Sequence, residues 1–249
     1  IDACAPPPGA AALWWLGQHG FVLKLGTTIA YIDAYLAPHP DRRVPPLLRP
    51  DEITHADLVI GTHDHGDHID RGAWPALAAA SPQARFVVPG LLRARLAADL
   101  DLDAARMLGA DDALPLDIGD VRLTGIAAAH ELLSPDPATG RFACLGYVIE
   151  GPGARGVRRP TIYHAGDTCL YDGLQRRLAG WRCDALLLPI NGRDARRLAA
   201  DCIGNMTYQE AADLAGALQP RWTIPTHYDM FAFNAADPQA FADYMRVKY

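Results

Sequence analysis

The chain has 249 residues, half of them apolar, with 23 basic and 29 acidic side chains and a formal net charge of −6. That is enough apolar material for one sizeable core, and the acidic balance, without an extended basic arm, argues against nucleic acid, whose phosphates need clustered Lys and Arg. No apolar run approaches the roughly 20 residues of a membrane span, Ile1–Ala12 lacks the basic-then-apolar order of a secretory leader, and five scattered cysteines without CxxC spacing fit the reduced thiols of a cytoplasmic protein.

In chain order, Ala3–Ala12 is rich in Pro and Ala and reads as a loose arm. Leu13–Leu16, Phe21–Leu25 and Thr28–Asp33 read as short strands separated by Gly-containing turns. After a Pro-rich connection (38–50), the apolar run 56–61 has the form of a buried strand. A helix is expected over 71–80, a strand over 85–89, a helix over 91–100, and strands over 121–128 and 144–150 around a polar loop. The second half repeats this grammar: strand 161–164, helix 171–179, strand 185–189, then a long loop, 190–206. Thr207 and Glu210 form a capping box that opens a helix to about Leu218. Strand 222–225 and a last helix, opened by Asp237-Pro238 and reaching about Val247, complete the chain. Strands and helices mixed from end to end, with no clear linker, predict a single α/β domain over 1–249. The pairs Thr62-His63 and Thr226-His227 each follow an apolar strand, an echo that suggests corresponding pieces of two similar halves.

The chemistry concentrates in Thr62-His63-Asp64-His65-Gly66-Asp67-His68, directly after the strand 56–61. Ligands usually emerge at such a strand end in α/β folds. His63 and His65 are two apart and face the same way in an extended segment, and Gly66 permits the chain to turn before Asp67 and His68. One loop can therefore offer two imidazoles to one metal and a carboxylate with an imidazole to another, a ligand set suited to Zn, Mn or Fe. Asp33, His130, Asp167 and His227 each lie at or just past a strand end. Singly, each has an ordinary explanation as a turn, cap or core residue; together, in order, they point to a shared site.

The run THDHGDH, followed by His130, Asp167 and His227, resembles the HxHxDH signature of the metallo-β-lactamase superfamily, and Asp33 matches that superfamily's first conserved Asp. The resemblance spans nearly the whole chain. It implies an αβ/βα four-layer sandwich with the site at one edge, His63, His65 and His130 on one metal, Asp67, His68 and His227 on the other, Asp167 between them, and Asp33 orienting a ligand imidazole. Divalent Mn or Zn, one or two ions, is the implied cofactor, and Asp67 the implied proton acceptor for a metal-bound hydroxide. A narrower likeness, carried by WWLGQHGFVLKLG, NGRDARRLAADCIGNMTYQEAADLAGAL and IPTHYDMF, is to the L-ascorbate-6-phosphate lactonase branch; His19 departs from it where a small residue is expected.

That likeness implies a lactonase acting on an anionic, phosphorylated sugar lactone. Asn191 and Arg193 are expected to meet the anion, with Asn205, Tyr208 and Tyr228 at sugar-like hydroxyls. Arg196 and Arg197 read equally well as a solvated helix start, and Tyr208 as packing on its own helix. Two other functions fit the same ligands: a phosphodiesterase on a small or lipid-type diester, and a non-enzymatic metal-binding scaffold. The expected partner is a small anionic molecule rather than nucleic acid or membrane, and the lactonase likeness together with Trp14 and Trp15 suggests a homo-oligomer.

Overall fold

The computed structural model describes all 249 residues, in twelve strands and six α-helices. The first half runs β1 (Ala11–Trp15), β2 (Phe21–Leu25), β3 (Thr28–Ile32), β4 (Leu58–Ile60), α1 (Trp74–Ala80), β5 (Arg85–Pro89), α2 (Arg93–Asp99) and β6 (Met107–Ala110). The second runs β7 (Pro115–Ile118), β8 (Val121–Ala127), β9 (Leu145–Glu150), β10 (Thr161–His164), α3 (Leu174–Leu178), β11 (Ala185–Pro189), α4 (Ala195–Ala199), α5 (Tyr208–Leu218), β12 (Trp222–Thr226) and α6 (Pro238–Lys248). The strands form two six-stranded sheets, ordered β1-β2-β3-β4-β5-β6 and β12-β11-β10-β9-β8-β7.

Strand alternation sorts the apolar residues into three cores. Phe21, Leu23 and Leu25 of β2 and Leu58 and Ile60 of β4 point between the sheets, where they meet Leu123, Tyr147, Ile149 and Leu187. The intervening Val22 and Val59 point outward onto Trp74, Leu77 and Leu96 of α1 and α2. On the other side, Val148, Tyr163, Leu186 and Leu188 point outward onto Leu174, Leu214 and Phe241 of α3, α5 and α6. Both faces of each sheet are thus covered, which is why β4 and β11 read as continuous apolar runs. The result is the expected four-layer αβ/βα sandwich of the metallo-β-lactamase fold.

Each half opens with antiparallel pairs and continues in parallel: β1-β2-β3 antiparallel then β3 to β6 parallel, and β7 to β10 antiparallel then β10-β11-β12 parallel. Matched by that pattern, β12 corresponds to β5 rather than β4. The Thr-His echo therefore joins strands that are not topological equivalents. Two strands not expected from the sequence, β6 and β7, complete one edge of each sheet. Pro115 at the start of β7 is tolerated because edge and first positions need no N–H in the ladder.

The capping box is present, with Thr207 and Glu210 bonded to each other's backbone N–H, and Asp237 caps α6 through the Gln239 N–H. The loop 190–206 contains the short helix α4. All five cysteines are free. No helix is long and apolar enough to cross a membrane. Trp14 packs against the outer core of the first sheet, and Trp15 donates from Nε1 to the Gln18 carbonyl while its ring lies 5.4 Å from Tyr228.

Candidate metal centre

The site lies along one edge of the sandwich, at the C-terminal ends of strands from both sheets. Asp33 leaves β3, Thr62–His68 leaves β4, His130 follows β8, Asp167 follows β10 and His227 follows β12. The polypeptide is stitched together there: Leu145 N–H donates to Thr62 O at 3.0 Å, and Cys169 N–H to Ala129 O at 2.8 Å. Ala129 N–H also donates to Thr168 Oγ1 at 2.9 Å, which ties the loop of His130 to that of Asp167. Gly166 has φ +58, and a Cβ on it would lie 2.9 Å from Thr62 Cβ, so only glycine lets the Asp167 loop approach this closely. The chain does turn at Gly66, as expected, although glycine is not required there: a Cβ would meet nothing within 4 Å and the φ is not positive.

The structure brings all seven expected ligands together. His63 Nε2 lies 3.0 Å from His65 Nδ1, which lies 3.2 Å from His130 Nε2. On the other side, Asp67 Oδ2 is 3.6 Å from both His68 Nε2 and His227 Nε2. Asp167 sits between the sets, with Oδ1 3.3 Å from His68 Nε2 and Oδ2 3.2 Å from His227 Nε2 and 4.0 Å from His130 Nε2. The groups His63-His65-His130, His63-His68-Asp167 and Asp67-His68-His227 each place their ligand atoms within 4.8 Å of one another. His63 and His65 achieve this from a loop of bends and turns rather than an extended segment, and differ in burial, His63 being buried and His65 exposed. Asp64 points away from the cluster, paired with Arg71 at 2.7 Å and Arg95 at 2.5 Å.

These residues fit divalent ions. His68 Nε2 and Asp167 Oδ1 are buried without a hydrogen-bond partner, and imidazole nitrogens converge at distances that suit ligands of one ion better than each other. Asp33, wholly buried, accepts from Thr62 N–H at 2.9 Å, Thr62 Oγ1–H at 2.7 Å and His68 Nδ1–H at 2.7 Å. With its proton held on Nδ1, His68 presents the Nε2 lone pair to the site.

Electrostatics of the ion-free cluster follow from burial and proximity. Burial, reinforced by neighbouring imidazoles, holds His63 well below the usual imidazole range. Burial likewise lowers His130 to about 4, although Asp167 opposes it. Burial works against charge on His68 and His227 too, but Asp167, Asp33 and Asp67 lift His68 well above its ordinary value, and Asp167 and Asp67 lift His227 to about 9. The same contacts hold Asp67 and Asp167 below the usual carboxylate range in spite of burial.

Three polar residues behind the cluster went unassigned in the sequence. Gln18 Nε2–H donates to Asp67 Oδ2 at 2.8 Å. His19 Nδ1 lies 3.6 Å from Asp167 Oδ1, and its ring is 4.1 Å from that of His164. His164 Nε2 donates to the His19 carbonyl at 2.8 Å. Burial lowers His19 to about 4 and His164 to about 3. The signal was available: Gly-Gln-His-Gly is a polar pair between two apolar strands, and His164 precedes Asp167 on the same strand end.

A cavity of about 520 Å³ opens onto Asp67, His65, His130, Asp167 and His227. Tyr35, Ile203, Phe231 and Phe233 form its apolar wall, Asn234, His39, Asp201 and Cys202 contribute polar atoms, and no Lys or Arg lines it. None of the residues expected at the substrate lines this cavity. Arg193 forms a two-pronged pair with Glu210 at 2.7 and 2.8 Å and donates to Asn205 O. Asn191 is buried, bonded to Asn234 and Asn205. Tyr208 packs edge-on against Tyr244 and Tyr228 against Trp15. Asn191, Arg193 and Asn205 hold the loop 190–206 in place.

Comparison with known proteins agrees with this geometry. Residues 30–228 match the family described as Beta-lactamase superfamily domain. A UPF0173 metal-dependent hydrolase of Cupriavidus necator is 30% identical over 97% of this chain and 81% of its own length. Another from Sulfurisphaera tokodaii is 29% identical over 92% of this chain and 89% of its own. Among solved structures, Igni18, a metallo hydrolase from Ignicoccus hospitalis, superposes with a TM-score of 0.74 at 21% identity, covering 96% of this chain and 91% of that one. The chain belongs to the metallo-β-lactamase superfamily, as a metal-dependent hydrolase of the UPF0173 family.

Proposed function

We propose that the protein hydrolyses an uncharged carbonyl substrate, a lactone or ester with an apolar portion, at a centre of two divalent ions. The observation that carries the substrate class is the cavity: an apolar wall of Tyr35, Ile203, Phe231 and Phe233 beside the ligand cluster, with no cationic side chain. Beyond what divalent ions themselves would bind, the cavity offers a phosphate no guanidinium or ammonium of its own: Arg193 is paired with Glu210, and Arg42 donates to the carbonyls of Val44, Tyr35 and Ala37. The geometry therefore supports a lactonase-type hydrolysis but a different substrate from the anionic sugar implied by the narrower sequence likeness.

His63, His65 and His130 would hold one ion and Asp67, His68 and His227 the other, with Asp167 lying between the two sets. The ligands are imidazole and carboxylate with no thiolate, which suits Zn and Mn alike. Ions in such a site lower the pKa of bound water towards about 7 and polarise a carbonyl oxygen. The protein's own residues do the rest. Asp33 and Thr62 fix the tautomer of His68. Asp67, on the cavity wall, accepts the proton lost by the attacking water. Asn234 has its Oδ1 occupied by Asn191 Nδ2–H and Arg197 Nη1–H, which leaves its Nδ2 free to donate to the substrate. Phe231 and Phe233, stacked at 5.5 Å, exclude water from the apolar part of the substrate.

The test is a substrate panel with Zn-loaded and Mn-loaded protein: an uncharged alkyl lactone, an uncharged aryl ester, a phosphorylated sugar lactone and a chromogenic phosphodiester. The expected result is turnover of an uncharged substrate with the highest kcat/KM. Preference for the phosphorylated lactone or the diester would refute the proposed class. Binding of all four without turnover would favour a scaffold role.

A further inference from the structure

Gln18 lies in the turn between β1 and β2 with φ +53, a backbone conformation that glycine ordinarily takes. It is wholly buried. Its backbone is fixed at both ends: the N–H donates to Asp229 Oδ1 at 3.0 Å, and the carbonyl accepts from His227 N–H at 2.9 Å and from Trp15 Nε1–H at 3.3 Å. A residue held this tightly in a left-handed turn presents its side chain in one place, and that place is the ligand cluster. The terminal amide nitrogen is 2.8 Å from Asp67 Oδ2 and 3.2 Å from His227 Nε2. The amide oxygen is buried without a partner.

Two considerations bear on the loaded site. An ion held by Asp67, His68 and His227 takes the lone pair of His227 Nε2, so that Asp67 is then the one acceptor left to the Gln18 N–H. Donor atoms sharing one ion at about 2.1 Å lie roughly 3.0–3.4 Å apart, close to the separations of the amide terminus from Asp67 and His227. The two ends of an amide exchange by a half-turn about the last side-chain bond. We propose that Gln18 is a further ligand of the ion held by Asp67, His68 and His227, supplying its amide oxygen after that half-turn. The proposal rests on the two-ion reading above. Its rival is a role as hydrogen-bond donor alone, steadying Asp67.

The experiment is cobalt(II) substitution of the full chain, comparing wild type with Gln18→Leu and Gln18→Glu by ion affinity and by visible absorption per bound ion. Fewer ligands give cobalt a stronger visible band. If Gln18 is a ligand, Gln18→Leu weakens one of the two cobalt ions at least tenfold and strengthens its band, while Gln18→Glu binds that ion as tightly as wild type or more tightly. A donor-only role predicts the reverse for Gln18→Glu, because its carboxylate would repel that of Asp67. Should Gln18→Leu fail to fold, Gln18→Glu alone decides. Wild type that takes up two cobalt ions, with Gln18→Glu weakened, or with Gln18→Leu unchanged in affinity and band, overturns the role of Gln18 and leaves the two-ion reading standing. Wild type that takes up no cobalt overturns both.

Discussion

Asp33→Asn isolates the part of the site that sets a ligand's tautomer. Asp33 makes three hydrogen bonds as an acceptor, to Thr62 N–H, Thr62 Oγ1–H and His68 Nδ1–H, at 2.9, 2.7 and 2.7 Å. Its φ of +46 is one that Asn tolerates better than most residues, so the backbone is retained. With Oδ1 kept for Thr62 N–H, the new NH₂ group faces two donors. Either His68 moves its proton to Nε2, blocking the lone pair meant for the ion, or the amide turns over and leaves Thr62 N–H unpaired. Loss of such an outer partner typically costs 10–100-fold in metal affinity, about 1.4–2.8 kcal/mol. The assay is competition against a chromophoric chelator at pH 7.5, with circular dichroism to establish that the variant is folded. The expected result is one ion weakened by that factor and the other nearly unchanged, since the set His63-His65-His130 does not contain His68. A folded Asp33→Asn protein that binds both ions as tightly as wild type would refute the reasoning.

Three further outcomes follow from the same geometry. Arg193→Ala breaks the pair with Glu210 and the bond to Asn205 O, and is expected to lower stability by about 1–2 kcal/mol in urea unfolding while kcat/KM stays within about threefold; a large loss of kcat/KM with unchanged stability would return Arg193 to the substrate. Phe231→Ala removes part of the apolar wall and is expected to reduce kcat/KM for an uncharged alkyl substrate about 5–30-fold, the worth of about 1–2 kcal/mol of apolar contact, with the longest chains hit hardest; equal losses for long and short chains would contradict the assigned wall. In ion-free protein, stability has a maximum between two windows. The lowered values of His19, His130 and His164 mean that the unfolded chain binds more protons below about 6.5, so stability falls as pH drops from there towards 4. The raised value of His227 contributes stability that is full below about 6.5 and is lost as pH rises through about 9. Urea midpoints that change in one direction only from pH 5 to 10 would contradict this account.

The clustering of the candidate ligands was legible in the sequence because each follows an apolar strand, and strand ends in an α/β sandwich converge on one edge. His63, His65, Asp67 and His68 also share one loop, so no long-range placement was needed to group them. The lining of the cavity beside the cluster was not legible. The loop 190–206 carries the conspicuous Arg and Asn residues, yet Arg193 and Asn191 face Glu210 and Asn234, because buried or half-buried polar groups in a long loop are first used to satisfy one another. The cavity wall instead comes from Tyr35, Phe231 and Phe233, aromatic residues that in sequence are indistinguishable from core. Gln18 and His19 were visible as a polar pair between strands, but their contacts with Asp67 and Asp167 depend on packing across the sandwich. β6 and β7 were not legible because Gly109, Pro115 and Asp117 break the apolar pattern at positions that an edge strand tolerates.

The central claim, that these seven side chains hold two divalent ions, is tested most directly by ion stoichiometry. Elemental analysis of the purified chain after equilibration with Zn or Mn and removal of free ion, alongside His63→Ala and His227→Ala, is predicted to give about two ions per chain for wild type and about one for each variant. A folded wild-type chain that retains no ion above background, or variants that retain as much as wild type, would contradict it.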